Sequence, residues 1–534
     1  MGLIRKIRSL FSGKPWRDRR VVVFGSKHEI GKDGRIVFDR SYEAGSTGRM
    51  RWMDGTEMSP TPSESDLREV RGRTLELERN DSIAMAAVET KASNIATHRV
   101  RPQSMAYGDD PVTVAPRDRD VFLSEERMEV FRSQIEASWA AYSGEVDATG
   151  AMPWEAFAWL AARTRISQGE VFVHKVSVPL DNGRRFRTAY EMIEPGRVST
   201  PHGMFSDPSV IGGIKHDAFG RPVEYYVWPS SSRTTFASDS YKTIPARDIY
   251  HLHRPLRPGQ RRALPDLSCV LQSVKDRKDL ADATIIKAQN SAAITAIIHT
   301  QDPGALEADW STKTVREGGT SGVTYETVPI QKGQLMLMPH TDNVSEFKSD
   351  HPTNAFEPFM QGIKGDIARG VGISYLSLTR DVSGANFSTM KGVMLQDRLT
   401  YQAERLLLRG LLSWIYANHC DEAVLSGWVD APCYARRRSA YIRVAWQFAP
   451  WGMVEPVKEI NGAVLAINNN LASRASWAQS EGEDAEEIID SNLRLEKYER
   501  ERRDVMGLPK ETVGDGLPEE KPEPEEMENA ENDG

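Results

Sequence analysis

Between Asp350 and Trp414, two amphipathic stretches flank a short polar loop, and this pattern constrains the fold more than any other part of the chain. The first stretch, Pro352 to Val371, leads into the loop SYLSLTRDVSGANFS. The second continues as a much longer helix, predicted to end near Ala417. Leu395, Leu399, Ala403, Leu406, Gly410 and Trp414 fall along one face of it. Such a helix spans roughly 45 Å and, like any isolated helix, draws most of its stability from packing an apolar face. It therefore needs lateral partners, and neighbouring subunits are one source of them. The loop offers Ser374, Ser377, Thr379, Ser383, Asn386 and Ser388 with one Arg380 and one Asp381, and no cluster of histidine, cysteine or carboxylates. It reads as a mechanical part that can touch something polar without doing chemistry.

The 534 residues exceed one typical core, so the length favours about two to four packed units. A net charge of −8 argues against gripping nucleic acid by wholesale phosphate neutralisation; any contact with DNA is expected to be local or weak. Cys269, Cys420 and Cys433 are scattered without CxxC spacing, so neither a disulfide framework nor a zinc site is encoded, and a reducing cytosol suits the chain. No apolar run is long enough to cross a bilayer. In MGLIRKIRSLFSGKPWRDRR, the charges at Arg5, Lys6 and Arg8 interrupt any signal-like core, and Lys6 stands where myristoylation needs Ser or Thr. Leu3, Ile4, Ile7 and Leu10 share one side of a short basic helix, for which a frayed arm is the plainer reading.

From Gly25 to Asp66 the chain is rich in Gly, Ser, Asp and Pro without helical period. Apolar spacing then predicts helices over Asp66 to His98, Glu125 to Tyr142 and Trp154 to Gln168. After these, GEVFVHKVSV, FRTAYEMI, EYYVWP and IYHLHR read as strands, giving one α+β unit from about residue 66 to 263. Pro265 is expected in the first turn of a helix reaching Ala293. AAITAIIHT, VTYETVPI and QLMLMP read as extended, with a short helix over LEADWSTKTVRE, making a small α/β insert. YIRVAW is a further strand, followed by two charged helices within Trp451 to Leu508. The end, GDGLPEEKPEPEEMENAENDG, is acidic and nearly free of large apolar residues, hence a disordered tail.

No constellation of an enzyme emerges. GSKHEIGKD from Gly25 misspaces the glycines of a phosphate loop and puts Asp33 where the magnesium-binding hydroxyl belongs. His251 and His253 share a strand face but lack a third ligand, and Arg254 beside them would repel a cation, so a structural role is expected. Asp147, Glu155 and Glu170 flank element ends, where carboxylates cap or solvate. The basic run HRPLRPGQRRALP carries Arg254, Arg257, Arg261 and Arg262, which suit either a phosphate or carboxylates of a neighbouring subunit. No cofactor or metal site is expected.

Five phrases in this order resemble the portal proteins of tailed bacteriophages, lambda-like family. They are RTLELERNDSIAMAAVETKASNI (Arg73 to Ile95), GEVFV at Gly169, IPARDIYHLHRPLRPGQRRALP from Ile244, the long run from Ser349 through Arg398, and WGMVEPVKEINGAVLAINNNLASR. Phe387 stands where such proteins usually have Tyr, and Lys391 where they often have Arg. The resemblance implies a ring-forming α+β portal fold, commonly dodecameric, set at one capsid vertex with double-stranded DNA passing along its axis.

It also implies a division of the chain. An N-terminal basic arm (1–65) precedes a wing (66–263), stem helices (264–295 and 353–372), a small α/β clip (296–352) and a tunnel loop (373–387). A long tunnel helix with a wing return (388–450), a helical crown (451–510) and the acidic tail (511–534) complete it. The implied partners are the terminase motor and head-tail adaptors at the clip, and the major capsid protein or scaffold; no membrane is involved. The implied location is the virion, with assembly in the host cytoplasm. A basic bore would trap DNA, because a ring multiplies every lysine by the subunit number; an acidic chain with one arginine in a polar loop fits sliding. Ser374, Ser377, Thr379, Arg380, Ser383 and Asn386 are accordingly expected to approach the DNA backbone without reading bases. The alternative is another virion structural protein, a baseplate or adaptor component without a DNA channel.

Overall fold

A computed structural model describes residues 59–97, 99–109, 123–181, 183–229, 241–300, 334–339, 356–384 and 386–506, and two short antiparallel strands, β1 (Glu29–Ile30) and β2 (Ile36–Val37). The apolar period read as one helix from Asp66 is two, α1 (Glu64–Asn80) and α2 (Ser82–Ile95). Asp81 divides them: its extended backbone ends α1, and its carboxylate caps α2 by accepting from the amides of Ile83 and Ala84, each at 3.0 Å. A cap of this kind contributes about 1 kcal/mol. Next come β3 (Val100–Ser104), α3 (Glu125–Tyr142) and α4 (Trp154–Gln168), the two helices lying where their apolar spacing predicts. α4 stops at Gly169, φ 87°, where an added Cβ would sit 2.4 Å from the Leu264 carbonyl carbon. Only glycine lets the chain turn there into β4 (Glu170–Ser177).

β5 (Thr188–Ile193) pairs with β4. A separate antiparallel sheet follows, in the order β6 (Val210–Ile211), β7 (Ile214–His216), β8 (Pro222–Val227) and β9 (Lys242–Pro245). β10 (Ile249–His253) returns to the other edge of β4, with His251 opposite Phe172 and His253 opposite Glu170. Pro265 precedes a 3-10 turn, Asp266–Cys269, and α5 (Leu271–Ala293) begins only after it. β11 (Ile294–Thr300) and β12 (Gln334–Pro339) pair in parallel. The remainder of the insert, including LEADWSTKTVRE and VTYETVPI, lies outside the described residues, as do the Gly25 loop, the N-terminal basic stretch and the acidic tail.

α6 (Phe356–Val371) leads to a five-residue helix, α7 (Tyr375–Thr379), inside the segment read as loop. α8 (Phe387–Leu425) then runs 39 residues, roughly 58 Å, passing the expected end near Ala417. α9 (Tyr434–Tyr441), β13 (Val444–Phe448), α10 (Pro456–Asn468), α11 (Arg474–Ser480) and α12 (Ala485–Met506) complete the described chain. β13 pairs with β3, a strand more than half the chain away, so residues after 387 complete the core of the first unit. That core takes in Phe131, Trp139, Trp154, Tyr190, Leu411, Tyr416 and Trp446. A smaller cluster of Phe172, Ile193, Tyr225 and Ile249 joins the two sheets.

Candidate functional site

The loop between α6 and α8 has a bonded base and an exposed tip. Ser374 caps α7, its Oγ accepting from the Ser377 amide at 3.1 Å. The same hydroxyl donates to Asp397 Oδ2 at 2.6 Å, the Ser374 amide donates to Asp397 Oδ1 at 2.9 Å, and the Ser377 hydroxyl also donates to Oδ2. Asp397 sits on α8 with 6% exposure. Thr379 Oγ1 donates to the Tyr375 carbonyl at 2.8 Å. The hydroxyls of Ser374, Ser377 and Thr379 are thus engaged inside the chain, and all three residues are half-buried.

Arg380 ends α7 in the left-handed region, φ 57°, exposed and without an ion pair among the described residues. In the tip, Ser383 donates its amide to Asp381 Oδ1 at 3.0 Å, and Asn386 caps α8 by accepting from the Thr389 amide at 2.8 Å. Val382 and Phe387 are exposed beside them. Sequence reasoning missed Asp397; its only signal was the polar series Asp397, Tyr401, Glu404 at helical spacing within a leucine-rich helix.

Two turns along α8, Glu404 anchors a buried charge cluster. Arg165 reaches Glu404 Oε2 and Asp266 Oδ2, both at 3.0 Å, and Arg254 reaches Glu404 Oε1 at 3.1 Å. Lys91 pairs with Asp266 and donates to the Val371 carbonyl at 3.2 Å, so it caps the C-terminus of α6 where the loop begins. Burial alone would lower the Arg165 pKa; Asp266 and Glu404 more than offset it and keep the guanidinium charged. For Asp266, burial would raise the pKa, and Arg165 and Lys91 outweigh it and hold the carboxyl below its usual range.

The basic run does not stand together. Arg262 is 1% exposed, with its Nε on Glu170 Oε1 at 2.6 Å and its terminal nitrogens on the Val198 and Pro195 carbonyls. It is not available to a phosphate or a neighbouring subunit, which corrects that expectation: a buried carboxylate has drawn it into the core. Arg254 turns to Glu404, Arg261 donates to the Gly220 carbonyl at 2.6 Å, and Arg257 reaches the Ser59 carbonyl at 3.5 Å from an exposed position.

Glu170, read as a capping or solvated carboxylate, is fully buried and is bonded by Arg71, Arg262 and His251 Nε2, the last at 2.8 Å. Burial would raise its pKa, but Arg262 and Arg71 hold it well below the usual carboxylate range. Burial also pushes His251 down to about 3, so it is a neutral structural group. Among the described residues no group of His, Cys, Asp and Glu could hold a metal ion, and no helix is long and apolar enough to cross a membrane.

Residues 47–405 match the family model described as phage portal protein, lambda family. The chain belongs to the lambda family of phage portal proteins. The portal protein of Escherichia phage N15 is 24% identical over 512 residues, covering 88% of this chain and 93% of that protein. Portal protein B of Escherichia phage lambda is 22% identical over 412 residues, covering 71% and 76%. A solved chain from the neck of a native gene transfer agent particle, computed with C12 symmetry, covers 77% of this chain and 93% of that chain at 13% identity, with a TM-score of 0.37. The portal match takes in the loop, Asp397 and Glu404 as well as Glu170 and Arg262.

Proposed function

We propose that this portal chain closes head to tail into a ring, a dodecamer, at one capsid vertex, and that double-stranded DNA passes along its axis during packaging and ejection. The observation that carries the reading is an apolar surface on two helices. Leu395, Leu399 and Leu406 are 50%, 59% and 66% exposed on α8, and Val457, Ile460, Val464 and Leu465 are exposed on α10. Uncovered leucine on one helix and valine on the other mark surfaces for interaction, and a heterologous contact that closes makes a ring. In this reading residues 66–263 are the wing, α5 and α6 the stem, 296–352 the clip that meets the terminase motor and later the head-tail adaptors, and 451–510 the crown. The major capsid protein or scaffold surrounds the ring, which is assembled in the host cytoplasm.

The loop tip faces the duplex through Arg380, Ser383 and Asn386. One exposed arginine in the loop of each subunit, in a chain of net charge −8, leaves DNA free to slide. The role is that of a conduit rather than a catalyst. Negative-stain microscopy of the purified chain is expected to show rings with a bore wide enough for a duplex; a compact monomer at high concentration, or a narrower bore, overturns the reading. Arg380→Ala particles are expected to fill with or retain DNA differently from wild type, and identical filling and retention would remove that residue from the channel.

A further inference from the structure

We propose that Asp397 is the positioning residue of the portal loop: it clamps the base so that only the tip residues, Asp381 to Gly384 and Asn386, yield to or touch DNA. The inference rests on the channel reading above. Asp397 accepts from one amide and two hydroxyls at once, all on the first turn of the loop. A carboxylate suits this because it is acceptor-only with two oxygens, whereas an asparagine would aim an N–H at one of the donors. Bonds to an ionised acceptor are also about twice as strong as neutral ones. α8 has no need of an aspartate at this buried position for its own stability, since the groups it serves all belong to the loop.

The same turn is held from the opposite side by α2. Thr90 Oγ1 donates to the Ser377 carbonyl at 3.5 Å, and Lys91 Nζ holds the Val371 carbonyl. Ile373 and Leu378 are buried between these supports. Beyond Thr379 the support ends. Arg380 and Gly384 have φ of 57° and 76°, Val382 is exposed, and the polar bonds of the tip are local, Ser383 to Asp381 and Asn386 to Thr389. Two bonds tie tip to base among the described residues, both at Asp381: the Tyr375 hydroxyl donates to its Oδ2 and its amide donates to Thr379 Oγ1, each at 3.3 Å. The loop is therefore a fixed pedestal carrying a compliant tip, and Asp397 sets how far the tip reaches.

The test is backbone hydrogen exchange in assembled rings. Asp397→Asn is expected to speed exchange of the amides across 373–380 by about tenfold or more, with exchange across 408–425 unchanged. Ser374→Ala with Ser377→Ala removes donors and leaves the helix residue in place, so the same acceleration is expected even if the Asp397 variant fails to assemble. Unchanged exchange at 373–380 in the double-alanine rings overturns the clamp. Particles built from those rings are expected to lose packaged DNA. Faster exchange with wild-type filling and retention overturns the positioning role while leaving the channel reading standing; absence of a duplex-wide ring in the wild-type chain overturns the channel reading itself.

Discussion

From Leu408 to Ala423, α8 buries what an amphipathic helix usually buries: Leu408, Leu411, Leu412, Ile415, Tyr416, Cys420 and Ala423, with His419 the polar exception. Nearer the loop, the same helix buries Asp397, Tyr401 and Glu404 and turns Leu395, Leu399 and Leu406 outward. The difference lies in what each half packs against. The second half meets aromatic core: Tyr416 lies 5.8 Å from Trp139 and 6.3 Å from Trp446 between ring centroids. The first half meets donors, namely the loop base at Asp397 and the guanidiniums of Arg165 and Arg254 at Glu404. Buried ion pairs recover their desolvation cost only when fully bonded, so they contribute orientation more than stability. Leucines that a conventional helix would bury are left exposed.

Removing one partner from the inverted half has the largest expected effect. Glu404→Ala leaves Arg165 short of a carboxylate in a buried site and should destabilise the chain by about 3–5 kcal/mol in denaturant melts; a loss below about 1 kcal/mol would show that the cluster is dispensable. In the conventional half, Leu412→Ala opens a cavity and should cost about 2–5 kcal/mol by the same measurement. A near-neutral result there would mean that this stretch is not the packed face.

The third test uses pH. Burial pushes His419 down to about 3, against an ordinary 6.5, so it is neutral in the fold and protonates in the unfolded chain. Between those values the unfolded state holds more protons; stability is full above pH 6.5 and declines as pH falls toward 3. His419→Gln should flatten this acid limb by about 2 kcal/mol at roughly pH 5. An unchanged slope in thermal melts would assign the proton uptake to other groups. The smallest effect on chain stability is expected from Leu399→Ser with Leu406→Ser, within about 0.5 kcal/mol for the unassembled chain. Sedimentation should nonetheless show a higher concentration needed for rings. Lost stability with normal assembly would mean that the stripe packs within its own chain.

Much of the scaffold was legible before any coordinates. α4 and β4 follow from a helical period switching to strand at Gly169, and the short polar loop between two long helices is plain in the residues. The buried face of α8 near the loop was not, because periodicity ranks leucine above aspartate and carries no information about what lies opposite. Ser374, Ser377 and Thr379 were legible as hydroxyls, but two of them turn to a carboxylate on the next helix instead of outward. Arg262 read as part of a basic run, and its partner Glu170 lies 92 residues away.

By itself, the sequence determined much of the order of helices and strands and the family, since each depends on residues near one another along the chain or on a pattern spread over its length. Tertiary structure alone decided that Glu170 and Glu404 lie inside, that Leu399 and Leu406 lie outside, and that the loop is fixed at its base. Whether a charge can be buried depends on the donors that meet it, and here those donors arrive from distant segments brought together only by folding.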